Sequence, residues 1–375
     1  MTLTQPVAPS YVRELARYIP GKSIEDVARD LNLDPKTIVK LASNENPRGP
    51  SPSVLAAIAA AALEATRYPD GNGFALKAAL SARLGVDAAQ IVLGNGSNDI
   101  LELATQAYLR PGDEAIYSQH AFAVYPLATR ARGAIGVEVP ARGFGHDLVR
   151  MRAALTPRTR MVFVANPNNP TGTFVAAAEL LDFISSIPPE VLLVLDEAYN
   201  EYLEPADRCD SVGWLSRHPN LLVSRTFSKA YGLAALRIGY GIMHAGVADM
   251  LNRVRQPFNV NALAQAAAIA ALADAEYVDS SRALNRAGLA QLAAGFAKLG
   301  VESLRSHGNF VLVKVGNADQ VYQRLLARGV IVRPVANYGL PEWLRVSVGL
   351  ASENERFLAA LGSVLSSDAR SAPGR

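Results

Sequence analysis

Short apolar runs alternate with amphipathic stretches between residues 91 and 243. The runs Met161–Ala165 and Val191–Leu195 are apolar at nearly every position, which is typical of strands covered on both faces. Between such runs apolar residues recur at three- and four-residue steps, and this spacing predicts amphipathic helices. The predicted strands are Gln90–Leu93, Glu114–Ser118, Ile135–Val139, Met161–Ala165, Val191–Asp196, Leu221–Arg225 and Arg237–Met243. This alternation favours a mostly parallel seven-stranded sheet with helices on both faces.

The pattern changes after Gln265, where two long helical stretches lead into shorter elements. These elements are a strand at Asn309–Val315, a helix at Asp319–Arg328, a strand at Leu344–Val348 and a last helix from Glu353. The sequence therefore predicts a smaller α+β domain beside a large α/β domain. The predicted limits are 46–264 for the large domain and 265–375 for the small one, with 1–45 as an N-terminal segment that joins the small domain and covers the substrate.

Composition narrows the class of protein. The 375 residues carry a formal net charge of only +3, and the basic residues are scattered, so nothing indicates a nucleic-acid partner. No apolar stretch reaches the ~18 residues that a membrane helix needs, and the first residues lack the pattern of a secretory signal. A single cysteine, Cys209, fits a reducing compartment. We expect a cytoplasmic protein with no membrane partner.

A lysine stands just after the predicted strand Leu221–Arg225. Lys229 follows the hydroxyl residues Thr226 and Ser228, and Arg237 comes eight residues later. A lysine amine forms an imine with an aldehyde cofactor, while hydroxyls and a guanidinium are the donors that a phosphate needs. An isolated lysine is normally a solvated surface residue, but the whole run indicates a covalent site for a phosphorylated aldehyde.

Polar residues also follow two other predicted strands and open one helix. Asp196 and Tyr199 follow one strand, where a carboxylate would hold a cofactor's ring nitrogen protonated, although acidic strand-end turns are common. Asn169 lies in the loop after Met161–Ala165 and offers an amide donor. Ser97 and Asn98 open a helix after a glycine-rich turn, where free backbone amides favour phosphate binding.

Two arginines lie in strand-like runs near the C-terminal end. Arg345 stands in Trp343–Gly349 and Arg333 in Val330–Pro334. A lone strand arginine usually lies on an exposed face. Both nevertheless have the chemistry to bind anionic substrate groups.

Together these runs resemble the fold-type I, class II aminotransferases, which use pyridoxal 5′-phosphate (PLP). Four further runs are similar to those of histidinol-phosphate aminotransferases: Tyr18–Lys22, Leu41–Pro47, Arg67–Gly71 and Leu344–Gly349. The resemblance extends from about Tyr11 to Val364. It implies the α/β PLP-dependent transferase fold of aspartate aminotransferase, with 46–264 as the PLP-binding domain. It also implies transamination of L-histidinol phosphate with 2-oxoglutarate in histidine biosynthesis.

The resemblance assigns roles to individual residues. Lys229 would be the Schiff-base lysine and proton shuttle, and Asp196 would pair with the ring nitrogen. The ring would further contact Asn169, Tyr199 and, by stacking, Phe122. The cofactor phosphate would be held by Ser97, Asn98, Thr226, Ser228, Arg237 and, from the neighbouring subunit, Tyr68. The substrate-binding residues would be Arg345 for the α-carboxylate, Arg333 and Tyr18 for the substrate phosphate, and Asn44. We therefore expect a homodimer with shared active sites. We expect no metal in the site.

Two departures from the family pattern leave alternative substrates open. Phe258 replaces a tyrosine of some relatives and Asn337 replaces a glycine of many, and both are predicted to lie near the substrate side-chain pocket. One alternative is an aromatic aminotransferase acting on phenylalanine or tyrosine. Another is a PLP-dependent decarboxylase of amino-acid phosphates. A non-enzymatic regulator would need a DNA-binding domain, for which the stretch before Tyr11 is too short.

Overall fold

The computed structural model describes residues 6–371. The described helices are α1 Ser10–Arg13, α2 Ile24–Leu31, α3 Pro52–Ala62, α4 Phe74–Leu84, α5 Ser97–Tyr108, α6 Val124–Arg130, α7 Leu148–Ala153, α8 Ala177–Ser185, α9 Ser211–Trp214, α10 Ala245–Val254, α11 Ala262–Ala273, α12 Ala275–Leu299, α13 Ala318–Leu326 and α14 Ala351–Ser371. The described strands are β1 Val39–Lys40, β2 Ile91–Gly94, β3 Glu114–Ser118, β4 Ile135–Val139, β5 Thr159–Ala165, β6 Leu192–Asp196, β7 Leu221–Thr226, β8 Gly239–Met243, β9 Phe310–Lys314, β10 Val330–Ile331, β11 Arg333–Val335 and β12 Leu340–Ser347. Within residues 6–371, no helix has the length and apolar character to cross a membrane.

The large sheet has seven strands in the order β2-β8-β7-β6-β5-β3-β4. Strands β3 to β7 pair in parallel, whereas β8 runs antiparallel to both β2 and β7. The prediction of a mostly parallel seven-stranded sheet is confirmed. The predicted strand start at Arg237 is wrong, because Arg237 has a left-handed φ of 59° after a 3-10 turn and β8 begins at Gly239.

The central strands are buried on both faces because their side chains alternate between two apolar cores. In β5, Val162 and Val164 pack into the core on one face, while Met161 and Phe163 pack into the core on the other. Each such fully buried side chain contributes roughly 1.5–3 kcal/mol by its removal from water. This double burial fixes the register that sets Ala165 beside Asp196 and Asp196 beside Ser224.

The C-terminal part is built on a second sheet with the antiparallel order β11-β12-β9. It shares a core with α12, α13 and α14, and the parallel pair β1–β10 joins the N-terminal segment to it. The predicted division between residues 264 and 265 falls inside α11, whose buried alanines pack in a core of the large sheet. The three predicted domain limits stay predictions, and residues 1–5 and 372–375 of the outer two lie outside the described residues.

Candidate active site

A cavity of about 290 Å³ lies between the carboxyl ends of the parallel strands, the N-terminal segment and strands β11 and β12. This is the edge of an open α/β sheet where ligands bind. Every side chain predicted to belong to the site lines this cavity except Tyr68. The lining residues among them are Tyr18, Asn44, Ser97, Asn98, Phe122, Asn169, Asp196, Tyr199, Thr226, Ser228, Lys229, Arg237, Arg333 and Arg345.

Lys229 reaches the cavity from the loop after β7. Its Nζ donates to the carbonyl of Ser43 at 3.1 Å and lies 5.9 Å from the centre of the Tyr199 ring. Burial, followed by the positive charges of Arg345 and Arg237, lowers the pKa of Lys229 to about 8. A much larger fraction of the amine is therefore neutral near pH 7 than in an exposed lysine, and the neutral amine is the nucleophile.

Asp196 ends β6 and is buried behind the cavity. Its Oδ2 accepts from the Tyr125 hydroxyl at 2.8 Å, and its Oδ1 accepts from the Ala198 backbone amide at 3.2 Å. Burial raises the pKa of Asp196 to about 6, although both hydrogen bonds act to lower it. Contact with a cationic group of a ligand would therefore favour the ionised form of this buried carboxylate.

Tyr125 is a site residue that sequence reasoning missed. It is fully buried and stacks on Phe163 with ring centres 4.6 Å apart, so its hydroxyl is fixed toward Asp196. It also meets the ring of Phe122 edge-on at 5.9 Å, three residues earlier on the chain. The three-residue spacing from Phe122 was the one feature of the sequence that could have indicated its place in the site. Other missed lining residues are Ser43, Glu45 and Tyr338.

The hydrogen bonds of Asn169 and Tyr199 make them donors at the cavity. Arg345 Nη1 donates to Asn169 Oδ1 at 2.6 Å, which leaves the Nδ2 end of this amide for a ligand oxygen. The Tyr199 hydroxyl accepts from Asn44 Nδ2 at 2.9 Å. Burial raises the pKa of Tyr199 to about 12, so the phenol keeps its proton at neutral pH.

A cradle of donors lies where α5 begins. The N-terminal turn of α5 at Ser97 and Asn98 presents backbone amides, which favour an anion. Gly96 has a φ of 86°, and a Cβ on it would lie 2.5 Å from Arg237 Nη2. A Cβ on Gly239 would likewise collide with the Ser97 amide nitrogen. The absence of side chains at both glycines leaves Arg237 and the α5 amides facing the same space, which fits a phosphate group.

Arg345 and Arg333 stand directly opposite each other on neighbouring strands β12 and β11. Arg345 is buried, its guanidinium lies 5.5 Å from the Phe310 ring centre, and its Nε has no hydrogen-bond partner within the described part of the chain. Arg333 Nη2 donates to the Ile19 carbonyl at 2.8 Å and so holds the segment that carries Tyr18. Two guanidinium groups side by side favour an anion between them.

Three residues singled out from the sequence lie elsewhere. Tyr68 is 82% exposed and stacks on Phe258 with ring centres 4.7 Å apart. Phe258 does not line the cavity of its own chain and packs on Tyr68 and Gly71, so the prediction that it lies near a substrate pocket stays a prediction for the site that Tyr68 would reach. Asn337 is also outside the cavity and borders a second one of about 730 Å³ under the N-terminal segment.

The sequence matches the family model described as aminotransferase class I and II over residues 36–361. This chain belongs to that aminotransferase family. Histidinol-phosphate aminotransferase 1 of Thiobacillus denitrificans is 63% identical to this aminotransferase over 368 residues, which cover 98% of this chain and 95% of that protein. Histidinol-phosphate aminotransferase 2 of Pseudomonas aeruginosa is 60% identical over 358 residues, with coverage of 95% and 97%.

A solved structure resembles this aminotransferase along its whole length. The crystal structure of histidinol-phosphate aminotransferase from Sinorhizobium meliloti in complex with pyridoxal-5′-phosphate matches with a TM-score of 0.91 and 30% identity. The match covers 98% of this chain and 100% of that one. The predicted family and the predicted PLP-dependent transferase fold are therefore confirmed.

Proposed function

We propose that this aminotransferase transfers the amino group of L-histidinol phosphate to 2-oxoglutarate with PLP as cofactor, as a step of histidine biosynthesis. One observation carries the proposal: a single cavity brings together the Lys229 amine, the Asp196 carboxylate and the phosphate cradle of α5. These are the three groups that a phosphorylated pyridine aldehyde needs. Relatives named for this activity are about 60% identical over nearly the whole chain.

When bound, PLP supplies an aldehyde that links covalently to amines and a ring that withdraws electrons from the α-carbon. In this proposal Lys229 holds the cofactor covalently until the substrate amine replaces it. The Lys229 amine freed in this way would remove the α-proton, since its lowered pKa of about 8 gives it a larger neutral fraction than an exposed lysine has. Asp196 would keep the ring nitrogen protonated, and Asn169 and Tyr199 would donate to the ring oxygen.

The paired arginines account for substrates with different anionic groups. A guanidinium fork binds a carboxylate or a phosphate ester by the same two parallel hydrogen bonds. We propose that Arg345 takes the α-carboxylate of glutamate, and that Arg333 with Tyr18 binds the phosphate of histidinol phosphate. All three side chains line the cavity together.

The test is a set of half-reactions without keto acid. Purified enzyme loaded with PLP is mixed separately with L-histidinol phosphate, L-glutamate, L-phenylalanine and L-tyrosine, and the visible absorbance of the lysine-bound cofactor is followed. We expect fast loss of this band with the first two and slow loss with the aromatic amino acids. Faster reaction with phenylalanine or tyrosine would assign an aromatic aminotransferase instead. No loss with any of them would overturn transamination and favour decarboxylation of an amino-acid phosphate.

The Lys229→Ala variant tests the site itself. Because the covalent link and the proton transfer both need this amine, we expect no turnover and no visible band. The matched control is Lys298→Ala at the exposed end of α12, which should behave as wild type. A Lys229→Ala enzyme that keeps both turnover and the band would refute the assignment of this lysine.

A homodimer with shared sites and a cytoplasmic location belong to the same proposal. Several apolar side chains are exposed on α3, α4 and the loop between them, namely Leu55, Leu63, Tyr68 and Phe74. Such a surface favours contact with a second copy of the chain.

The single cysteine fits the reducing cytoplasm. Recovery of the enzyme outside the cytoplasmic fraction of the source cells would contradict that location.

A further inference from the structure

Asn44 is a buried residue of the cavity wall whose side chain is hydrogen-bonded to protein at both ends. It follows β1 in a left-handed conformation with a φ of 54° and is 1% exposed. Its Nδ2 donates to the Tyr199 hydroxyl at 2.9 Å. Its Oδ1 accepts from the Ser347 hydroxyl at 3.0 Å, and its own backbone amide donates to the same hydroxyl oxygen at 2.8 Å. Each end of the amide therefore makes a hydrogen bond to another side chain.

This arrangement decides where the proton of Tyr199 points. A phenol has one proton to donate, and an amide Nδ2 group only donates. The Tyr199 oxygen therefore accepts from Asn44, and its proton turns away from Asn44 toward the cavity. The ring itself is held by an edge-on contact with Phe310, with centres 5.1 Å apart.

We infer that Asn44 is a positioning residue: its amide directs the hydroxyl proton of Tyr199 toward the ligand, and Ser347 fixes the amide in that orientation. The identity of the ligand group, the ring oxygen of PLP, rests on the proposed function. This role differs from the direct substrate contact predicted for Asn44 from the sequence, which stays a prediction, since Nδ2 and Oδ1 each already bond to a protein group.

The charges around Tyr199 fit a neutral donor. Its hydroxyl is influenced by Asn44, Arg345, Asp196 and Tyr338, and Lys229 lies over its ring. Burial outweighs the lowering effects of Arg345 and Asn44 on the pKa, so the phenol stays protonated. The hydrogen bond from Asn44 thus sets a direction without removing the proton.

The sharpest variant is Asn44→Asp, because aspartate has the same shape and also tolerates the left-handed conformation. Its carboxylate accepts hydrogen bonds, so it draws the Tyr199 proton away from the ligand. Asn44→Gly keeps the backbone conformation at no steric cost and removes the amide that orients the Tyr199 hydroxyl. Ser347→Ala frees the Asn44 amide from the other side and serves as an independent variant.

The readout is the pH titration of the visible band of the lysine-bound cofactor. A donor to the ring oxygen weakens the hold of this oxygen on the neighbouring proton at the lysine nitrogen. We expect the midpoint to rise by about one pH unit in Asn44→Asp and by less in Asn44→Gly and Ser347→Ala. We also expect kcat with L-glutamate to fall about tenfold in Asn44→Asp, as for one lost hydrogen bond to a charged group, with KM changed less than about twofold.

Two controls separate positioning from general damage. Asn32 ends α2 with nearly the same φ of 53° and is exposed, so Asn32→Asp and Asn32→Gly should titrate as wild type. In a Tyr199→Phe background, the neutral variant Asn44→Gly should cause no further shift, because the residue through which it acts is absent.

The outcomes distinguish this inference from the proposed function. A wild-type band with unchanged midpoints in all Asn44 and Ser347 variants overturns the positioning role alone. A raised KM with unchanged kcat and midpoint also overturns it, in favour of substrate contact. A wild-type enzyme that forms no band with PLP overturns the proposed function itself.

Discussion

The ionised form of Asp196 destabilises the folded, cofactor-free protein, because the carboxylate is buried. Its pKa of about 6 lies above the ordinary 3.8, so the folded, cofactor-free protein binds a proton there more tightly than the unfolded chain. This residue therefore makes stability fall as pH rises from about 4 to about 6. We expect Asp196→Asn to raise the free energy of unfolding of the cofactor-free protein by about 3 kcal/mol at pH 7.5.

Denaturant unfolding at pH 7.5 and pH 5 checks this expectation. The gain should shrink at pH 5, because wild-type Asp196 is then largely protonated, while turnover is lost at both pH values. Asp249→Asn, on the exposed face of α10, is the control and should change stability by less than about 0.5 kcal/mol. A stabilisation that is equal at both pH values would show that the charge is not its cause.

The residues that carry polar chemistry were accessible to sequence reasoning, whereas the residues that orient them were not. Lys229 and Asp196 stand out because they are charged and lie at or just beyond the carboxyl ends of buried strands. Tyr125 and Ser347 are buried, and in the sequence they look like ordinary core and strand residues. Their roles arise from hydrogen bonds to residues 71 and 303 positions away, which no local pattern encodes.

The turn into α5 depends on having no side chain at Gly96. Alanine there would meet Arg237 Nη2 at 2.5 Å in addition to the strain of a φ of 86°. We expect Gly96→Ala to displace the guanidinium and to raise the PLP dissociation constant at least about tenfold, as for the loss of a charge-assisted hydrogen bond. Fluorescence titration of the cofactor-free protein with PLP measures this dissociation constant.

Gly85 provides the matched control for Gly96→Ala. It has a left-handed φ of 68° at the end of α4, and a Cβ there would meet nothing within 4 Å. Gly85→Ala should therefore lose about 1 kcal/mol of stability from backbone strain and leave PLP affinity unchanged. Equal loss of affinity in both variants would mean that strain, and not the Arg237 contact, weakens binding.

The elements themselves followed closely from hydrophobic periodicity. Strands buried on both faces, such as β5 and β6, were found within two residues because their apolar runs are continuous. The antiparallel setting of β8 and the short pair β1–β10 were not predicted. Strand partners far apart in sequence depend on tertiary packing, so periodicity alone does not specify them.

The assembly is tested by mixing two defective subunits. If Tyr68 serves the partner's site, a hybrid of Lys229→Ala and Tyr68→Ala subunits holds one site with both defects and one site with none. We expect separately tagged, co-expressed hybrids to show about half the wild-type kcat per dimer, because the sites act independently. Each parent homodimer should remain defective, and size-exclusion chromatography should give a dimer.

The same hybrid distinguishes the opposite arrangement. If Tyr68 served its own subunit, neither site of the hybrid would be intact and its activity would not exceed that of the Tyr68→Ala parent. The control hybrid of Lys229→Ala with wild type has one intact site under either arrangement. A monomeric protein with full activity would refute the shared site.

The hydrogen bonds between Asn44 and Ser347 join residues 303 positions apart. A ribosome must therefore make almost the entire chain before the cavity has both the anchor of Tyr199 and the guanidinium of Arg345. Lys229 emerges long before that point, when no wall shields it from water on the side of β12. We therefore expect productive cofactor loading to come late in biogenesis, and a chain that stops before residue 345 would carry Lys229 without the guanidinium proposed to bind the substrate carboxylate.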